Sequence, residues 1–279
     1  MPQIATSWSF GGGRLDLTAG ALVGVLNVTP DSFSDGGRWE ELTRAMEHAQ
    51  SMRNEGAVVV DVGGESTRPG AGPVSLDEEA ARAIPVVTGL VERGLTVSID
   101  TYKAEMAKLA IEAGASIVND VTGFGDRNMI DVVAATGVGV VVMHGRGQAL
   151  DDRPPDLDVV ADVEGYLASR ARALMTAGVD RGRIAIDPGL GFAKRHEQSL
   201  ALMDGVDRLA ATGFPVMLGA SRKGFLAGLT GADTWESRDS VTAAITALTF
   251  LRGARLFRVH QVAKSRDALR LAGAIVADQ

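Results

Sequence analysis

Eight short apolar segments recur along the chain, and a longer amphipathic segment follows each of them. Uninterrupted runs of Val, Ile, Leu and Ala are typical of parallel strands that are buried on both faces. We therefore predict eight parallel strands. They are Ala21–Asn27, Ala57–Val62, Thr96–Asp100, Ser116–Asp120, Gly139–Met143, Arg183–Asp187, Pro215–Gly219 and Arg255–His260.

The segments between the strands have the apolar spacing of helices. Pro85 is the one helix breaker among them, and a kink or a split is expected there. Eight strand–helix units predict an α/β fold of the closed (β/α)₈ (TIM) barrel type, for which about 250 residues are typical. The predicted helices are Trp39–Asn54, Leu76–Arg93, Lys103–Ala113, Asn128–Thr136, Val159–Ala177, Glu197–Thr212, Arg238–Arg252 and Ala263–Ala277.

No linker or change in composition divides the 279 residues, so one barrel domain is predicted over residues 1–279. Residues 1–20 are expected to be an N-terminal extension that covers the barrel. An open doubly wound sheet is the alternative, but its usual phosphate-binding pattern, G-x-G-x-x-G, does not follow the first strand. Gly11–Gly13 precedes that strand and is expected to be a turn.

Composition excludes several classes of site. The chain has no cysteine, which excludes disulfides, thiolate metal sites and cysteine nucleophiles. The net charge is −7 and no basic face is evident, which argues against a nucleic-acid binder. No apolar run reaches the ~18 residues that span a bilayer, and Met1–Arg14 lacks a signal-peptide pattern. We expect a cytoplasmic protein that acts on small molecules and has no nucleic-acid or membrane partner.

Polar side chains follow nearly every predicted strand at its carboxyl end. In a barrel these ends meet at the face that holds the active site. Asp and Asn also favour helix starts, which explains one or two such positions but not the whole set. The set comprises Asn27, Asp61, Asp100, Asn119, Asp120, Met143, His144, Asp187, Ser221–Lys223, Arg258 and His260.

These residues divide into two chemical groups. Asp100, Asn119 and Asp187 suit a planar heterocycle with N–H and amino donors. The second group suits a phosphate or pyrophosphate. It consists of Arg68, Arg222, Lys223, Arg258 and His260. Two loops rich in Gly, Pro and Ser, Asn27–Gly37 and Gly63–Gly72, are expected to overhang the same mouth and exclude water.

Seven motifs in this order resemble those of the dihydropteroate synthase family, from about Val23 to the C-terminus. Their order is far more specific than any one of them. The motifs are NVTPDSFSDGG at Asn27–Gly37, DVGGESTRPG at Asp61–Gly70, SIDT at Ser98–Thr101, VND at Val118–Asp120, DPGLGFAK at Asp187–Lys194, GASRK at Gly219–Lys223 and RVH at Arg258–His260.

The resemblance implies a transferase of folate synthesis. It would join 6-hydroxymethyl-7,8-dihydropterin pyrophosphate to 4-aminobenzoate, with Mg²⁺, and it would be a homodimer. The implied pterin contacts are Thr67, Asp100, Asn119, Met143, Asp187 and Lys223. The implied pyrophosphate contacts are Arg68, Arg258 and His260, and Asn27 would contact Mg²⁺. The implied aminobenzoate pocket contains Phe33, Pro69, Phe192 and Ser221. The expected catalytic residues are Asp100, Lys223, Arg258 and His260.

Some of these positions have a structural alternative. Asp61 is expected to bind loop backbone near Glu65 and Ser66, and Lys103 to lie on the surface. His144 is expected to cap its strand. Arg222 would hold either loops or substrate.

Three further features of the sequence bear on the site and on assembly. Gly189 and Gly191 are expected to let backbone approach a ring closely. Three departures from the family pattern, Gln261, Gly224 and the MHGRG segment, leave fine specificity and sensitivity to sulfonamides open. Dimerisation is expected through the C-terminal helices, unless their apolar residues only face the core. These are Ala244, Leu248, Leu251, Leu269 and Ile275.

Two other functions compete with this interpretation. A methyltransferase that moves a methyl group from methyltetrahydrofolate to a corrinoid protein would share the barrel and the pterin slot. It would not need the cluster Arg68, Arg258 and His260, nor the first loop. The third hypothesis is a pterin-binding homologue without catalytic activity. An assay with pterin pyrophosphate, aminobenzoate and Mg²⁺ separates the three.

Overall fold

A parallel sheet of eight strands forms the centre of the computed structural model, which describes residues 4–28, 38–66, 72–145 and 158–277. The strands β1 (Ser7–Phe10) and β2 (Gly13–Asp16) precede the sheet as a separate hairpin. The sheet consists of β3 (Ala21–Asn27), β4 (Ala57–Gly63), β5 (Val97–Asp100), β6 (Ile117–Asp120), β7 (Gly139–Met143), β8 (Ile184–Asp187), β9 (Met217–Leu218) and β10 (Leu256–Val259). The strand order in the sheet is β8-β7-β6-β5-β4-β3-β10-β9.

The sheet closes between β8 and β9. Ile186 pairs with Val216 in parallel, and the Ile186 N–H donates to the Pro215 carbonyl at 2.9 Å. The predicted barrel is therefore confirmed. The strand predicted over Pro215–Gly219 is wrong in length, because β9 spans two residues. Pro215 has no N–H to donate to a neighbouring strand, which limits the ladder at its start.

Helices surround the barrel. They are α1 (Arg38–Glu55), α2 (Leu76–Glu92), α3 (Ala104–Glu112), α4 (Arg127–Ala134), α5 (Val159–Thr176), α6 (His196–Asp204), α7 (Val206–Ala211), α8 (Phe225–Thr230), α9 (Trp235–Leu251) and α10 (Val262–Ala277). Pro85 does not split α2. Within the described ranges, no helix has both the length and the hydrophobicity needed to cross a bilayer.

Two helical predictions were wrong. The segment Glu197–Thr212 forms α6 and α7, which meet at Gly205. A Cβ at Gly205 would lie 2.8 Å from Cγ1 of Val160, so glycine permits close packing of α5 at this break. Helix α8 was not predicted, and α9 begins at Trp235 instead of Arg238.

The barrel interior is built in layers. Because side chains alternate between the two faces of a strand, every second residue points inward. One buried inner layer is apolar and contains Val23, Val59, Ile117, Val141, Ala185, Met217 and Leu256. Two residues further along most of these strands, the inward positions are Asp61, Asn119, Met143, Asp187 and Arg258. Polar side chains therefore gather at the carboxyl end.

A hairpin of β1 (Ser7–Phe10) and β2 (Gly13–Asp16) covers the opposite end. Trp8, Phe10 and Leu17 pack into the inner apolar layer. The indole Nε1 of Trp8 donates to the Arg183 carbonyl at 2.9 Å. The hairpin thus closes the interior at the amino ends of the strands and leaves the carboxyl ends as the accessible mouth.

Candidate active site

Arg258 is the centre of a buried charge network at the barrel mouth. Its Nε donates to Asp61 Oδ2 at 2.6 Å, and Nη2 donates to Asp100 Oδ2 at 2.8 Å. Asn119 Nδ2 donates to the same Asp61 oxygen at 3.0 Å. Burial disfavours the charge of Arg258, but Asp61 and Asp100 outweigh this and raise the pKa of the guanidinium. The arginine therefore stays charged and holds the carboxylates of Asp61 and Asp100, and Asp61 in turn holds Asn119.

Asp100 and Asn119 lie side by side, because they are register partners on β5 and β6. Burial raises the pKa of Asp100 to about 7, and Asp61 and Asp120 add to the increase while Arg258 opposes it. A carboxyl group with this pKa changes charge near neutral pH. It can therefore respond to the charge of a ligand that binds beside it.

Asp187 and Lys223 affect each other's pKa at the same mouth. Burial raises the pKa of Asp187, and the opposing effect of Lys223 is the largest of those that lower it. Burial also lowers the pKa of Lys223 to about 7, against the attraction of Asp187. Met143 lies on β7, between Asn119 on β6 and Asp187 on β8. An apolar surface thus separates two groups that can bind the edge of a planar ring.

His260 and Ser221 form a third contact at the mouth. The backbone N–H of His260 donates to Ser221 Oγ at 3.1 Å, and Nδ1 of the ring lies 3.0 Å from the same oxygen. Ser221 is buried. The contact holds the segment after β9 against the end of β10.

A cavity of about 620 Å³ opens at the mouth. Six predicted site residues line it: Asn27, Phe192, Ser221, Lys223, Arg258 and His260. The Lys223 ammonium lies 4.1 Å from the centre of the Phe192 ring. A larger cavity of about 700 Å³ lies near the amino end of the barrel. None of the predicted site residues lines that larger cavity, so the smaller one is the candidate active site.

Asn27 lies across Gly63 from Asp100. A Cβ at Gly63 would be 3.4 Å from Asn27 Oδ1 and 3.9 Å from Asp100 Oδ2, so glycine leaves this space open. Within the described residues, no three His, Asp or Glu side chains come together as a metal site. The Asn27 amide oxygen lies on the cavity that Lys223 and Arg258 also line. An amide oxygen of this kind fits Mg²⁺, which commonly takes few protein ligands and completes its shell with phosphate oxygens and water.

Two expectations for individual side chains were wrong. Asp61 bonds Arg258 and Asn119 instead of loop backbone, because it points inward two residues after Val59. Lys103 is largely buried: its ammonium lies 2.6 Å from Glu65 Oε2 and 2.6 Å from Glu79 Oε2. At Gly189, a Cβ would overlap the carbonyl oxygen of His144, so glycine lets this loop pack closely against the backbone after β7, and its approach to a bound ring stays a prediction.

Two further side chains take structural positions. Arg222 donates to both carboxylate oxygens of Asp239, at 2.8 and 2.9 Å, and so connects the segment before α8 to α9. His144 is buried, and its Nδ1 lies 3.0 Å from the Lys194 ammonium. Neither Lys194 nor Asp239 was predicted to have a role. Four predicted site residues, Phe33, Thr67, Arg68 and Pro69, lie outside the described residues.

The chain is similar to known proteins over nearly its whole length. The family of pterin binding enzymes matches residues 23–260. Dihydropteroate synthase of Mycobacterium leprae is 47% identical over 262 residues, which are 91% of this chain and 92% of that protein.

Two solved structures extend the similarity to the fold. Dihydropteroate synthase of Xanthomonas albilineans with 4-aminobenzoic acid has a TM-score of 0.91 and 41% identity, covering 98% of this chain and 99% of that one. The Burkholderia cenocepacia enzyme complexed with 7,8-dihydropteroate has a TM-score of 0.87 and 36% identity, covering 99% and 98%. This chain belongs to the dihydropteroate synthase family of pterin-binding enzymes.

Proposed function

We propose that this chain joins 6-hydroxymethyl-7,8-dihydropterin pyrophosphate to 4-aminobenzoate, with release of pyrophosphate. The arrangement of Arg258 is the observation that carries the proposal. It contacts Asp61 and Asp100 on one side and lines the cavity that Lys223 and His260 also line. Acceptors for a heterocycle and cations for a pyrophosphate thus meet at one mouth.

The pterin ring is proposed to lie against Met143, with Asn119 and Asp187 at its edges. A carboxylate accepts hydrogen bonds from the ring N–H and amino groups, and an amide both donates and accepts. Lys223 supports this arrangement because its positive charge favours the ionised form of Asp187. Thr67, which lies outside the described residues, is proposed as a further contact of the pterin.

The pyrophosphate is proposed to lie against Arg258 and His260, with Arg68 as a third contact. A guanidinium can donate two parallel hydrogen bonds to phosphate oxygens. This suits a leaving group that gains negative charge. Asn27 would contact Mg²⁺ carried by the pyrophosphate, and the ion would neutralise part of that charge.

The reaction breaks the bond between the pterin methylene carbon and the pyrophosphate oxygen, and the electron pair leaves with the oxygen. The electron-rich ring stabilises the methylene cation, and the Asp100 carboxylate adds to this by its negative charge. The arylamine nitrogen then forms the new bond and releases a proton to solvent. An arylamine is nucleophilic at neutral pH, so orientation and exclusion of water supply much of the rate.

The arylamine pocket is proposed to contain Phe192 and Ser221, which line the cavity beside Lys223. Phe33 and Pro69 complete the proposed pocket. This assignment places the acceptor amine on the open side of the pterin, where it can approach the methylene group.

We also propose a homodimer formed through α9 and α10. Leu248, Leu251 and Ile275 are exposed on this face, by 62%, 45% and 49%, whereas Leu269 packs in the core. We propose that these exposed apolar side chains form the contact between the two copies. Light scattering at known concentration tests the proposal: a dimer mass is expected, with a monomer for Leu248→Asp. A monomeric wild-type protein would contradict it.

Product formation tests the proposed reaction. The purified protein is incubated with pterin pyrophosphate, 4-aminobenzoate and Mg²⁺, and 7,8-dihydropteroate is measured by mass spectrometry. We expect turnover by the wild type and a loss of about 100-fold or more in Asp187→Asn. Pterin binding without any product would contradict the proposal in favour of an inactive homologue, and methyl transfer to a corrinoid would favour the methyltransferase.

A further inference from the structure

The loop after β8 contains backbone conformations that are unfavourable for a residue with a Cβ. Gly189, Gly191 and Ala193 have φ angles of +65°, +74° and +44°. Glycine adopts this region freely, but a residue with a Cβ such as Ala193 does so at a cost. Strained positions of this type persist only where surrounding contacts fix the backbone, and they concentrate at functional sites.

Lys194 supplies such contacts from the end of the same loop. Its side chain is buried, with 5% of the residue exposed. The ammonium donates to the carbonyls of His144 and Gly189 at 2.9 Å each, and to that of Phe192 at 3.0 Å. One buried cation therefore joins both ends of the loop to the end of β7.

The same ammonium lies 3.0 Å from Nδ1 of His144. A lysine ammonium has three hydrogens and only donates, so the three carbonyls and Nδ1 share these hydrogens, and the ring hydrogen of neutral His144 lies on Nε2. Nε2 lies 3.8 Å from Asp162 Oδ2, and the ring packs edge-on against Tyr166 with centroids 4.7 Å apart. His144 is thus fixed from α5 and in turn fixes the position of Lys194.

The loop that Lys194 holds carries contacts of the active site. The Phe192 ring lies 4.1 Å from the Lys223 ammonium, and Lys223 also donates to the Leu190 carbonyl. At the start of the loop, the Gly189 N–H donates to Asp187 Oδ1 at 2.7 Å. A shift of this loop would therefore move the Phe192 ring and a hydrogen bond of Asp187 together.

We propose that Lys194 is a positioning residue that fixes Phe192 against Lys223 and thereby sets the affinity for the arylamine. The inference rests on the proposed function, because it assigns Phe192 to the arylamine pocket. Lys194 acts through the loop carbonyls and the Phe192 ring. Its loss is therefore expected to raise the KM for 4-aminobenzoate more than the KM for the pterin substrate.

A double-mutant cycle tests this role. Lys194→Met keeps the length of the side chain and removes its charge and donors. The KM for 4-aminobenzoate is expected to rise about tenfold in Lys194→Met, but by less than about twofold when the same change is made in Phe192→Ala, because coupled residues are not additive. Lys108→Met, an exposed lysine on α3, is the matched control and should behave as wild type. Equal effects of Lys194→Met in both backgrounds would show a merely structural role and overturn the proposal.

A second variant and a crystal structure complete the test. If Lys194→Met does not fold, Lys194→Gln retains a donor and should give a smaller rise in the same KM; an unchanged KM there overturns the proposal. A crystal structure of either variant is independent of turnover. The Phe192 ring is expected to leave the Lys223 ammonium, and an unmoved ring would contradict the inference. Absence of turnover in the wild type would instead contradict the proposed function.

Discussion

The guanidinium of Arg258 holds the carboxylate of Asp100 at 2.8 Å, although 158 residues of sequence separate them. The same guanidinium reaches Asp61, which is 1% exposed. Two carboxylates and one cation therefore share a site from which water is largely excluded. In such a site, removal of one charged partner leaves the charges of the others uncompensated.

Replacing Arg258 with Ala is expected to reduce both stability and turnover. Loss of one member of a buried ion pair lowers the free energy of unfolding by about 3–5 kcal/mol, and kcat/KM should fall by about 100-fold or more. Denaturant titration and product assays measure the two effects. Arg127→Ala is the control, since that side chain is 82% exposed. Wild-type kinetics in Arg258→Ala would refute the role of the arginine.

Activity is expected to have a narrow maximum near pH 7. Burial raises the pKa of Asp100 to about 7 and lowers the pKa of Lys223 to about 7. Asp100 is ionised above this pH and Lys223 is charged below it, so kcat/KM should fall on both sides.

The substitution Lys223→Arg separates the acid limb of the pH profile from the alkaline limb. Arginine keeps its charge at high pH, so the alkaline limb should move to higher pH. The acid limb, which Asp100 causes, should remain. A profile of kcat/KM from pH 5 to pH 9 measures this in both proteins. A flat wild-type profile between pH 6 and pH 8 would contradict the assignment.

Lys103→Met is expected to destabilise the protein, because it removes the cation that contacts the buried carboxylates of Glu65 and Glu79. We expect the free energy of unfolding to fall by about 3 kcal/mol. The exposed lysine in Lys108→Met should change it by less than about 0.5 kcal/mol. Thermal melts of the two variants provide the comparison, and equal melting temperatures would show that the buried cluster contributes nothing.

Trp8→Ala should destabilise the barrel without changing substrate affinity. Trp8 is 1% exposed and lies in the inner layer at the amino end, far from the mouth. Loss of a buried tryptophan costs about 3–5 kcal/mol. Trp235→Ala is the matched control for the free energy of unfolding, because Trp235 is 53% exposed. A changed KM for the pterin substrate in Trp8→Ala would indicate coupling between the two ends.

The polar mouth of the barrel was predictable, because its side chains follow from strand periodicity alone. Asn119 and Asp187 end apolar runs, and parallel strands bring such ends together. The pairing of Asp61 with Arg258 was not predictable in the same way. An inward carboxylate at a strand end and a carboxylate that caps loop backbone look alike in sequence.

Other features depended on tertiary contacts that local patterns do not contain. Lys103 has the position of a surface residue early in a helix, and only the approach of Glu65 and Glu79 buries it. The break between α6 and α7 at Gly205 follows from packing against Val160. Lys194 follows a loop without periodicity, so its convergence on three carbonyls had no sequence signal.

A crystal structure with a bound pterin tests the central claim most directly. The account predicts that the ring lies against Met143, with Asn119 and Asp187 at its edges and Arg258 beside the methylene substituent. A pterin bound in the cavity at the amino end of the barrel, away from Asp187, would contradict it.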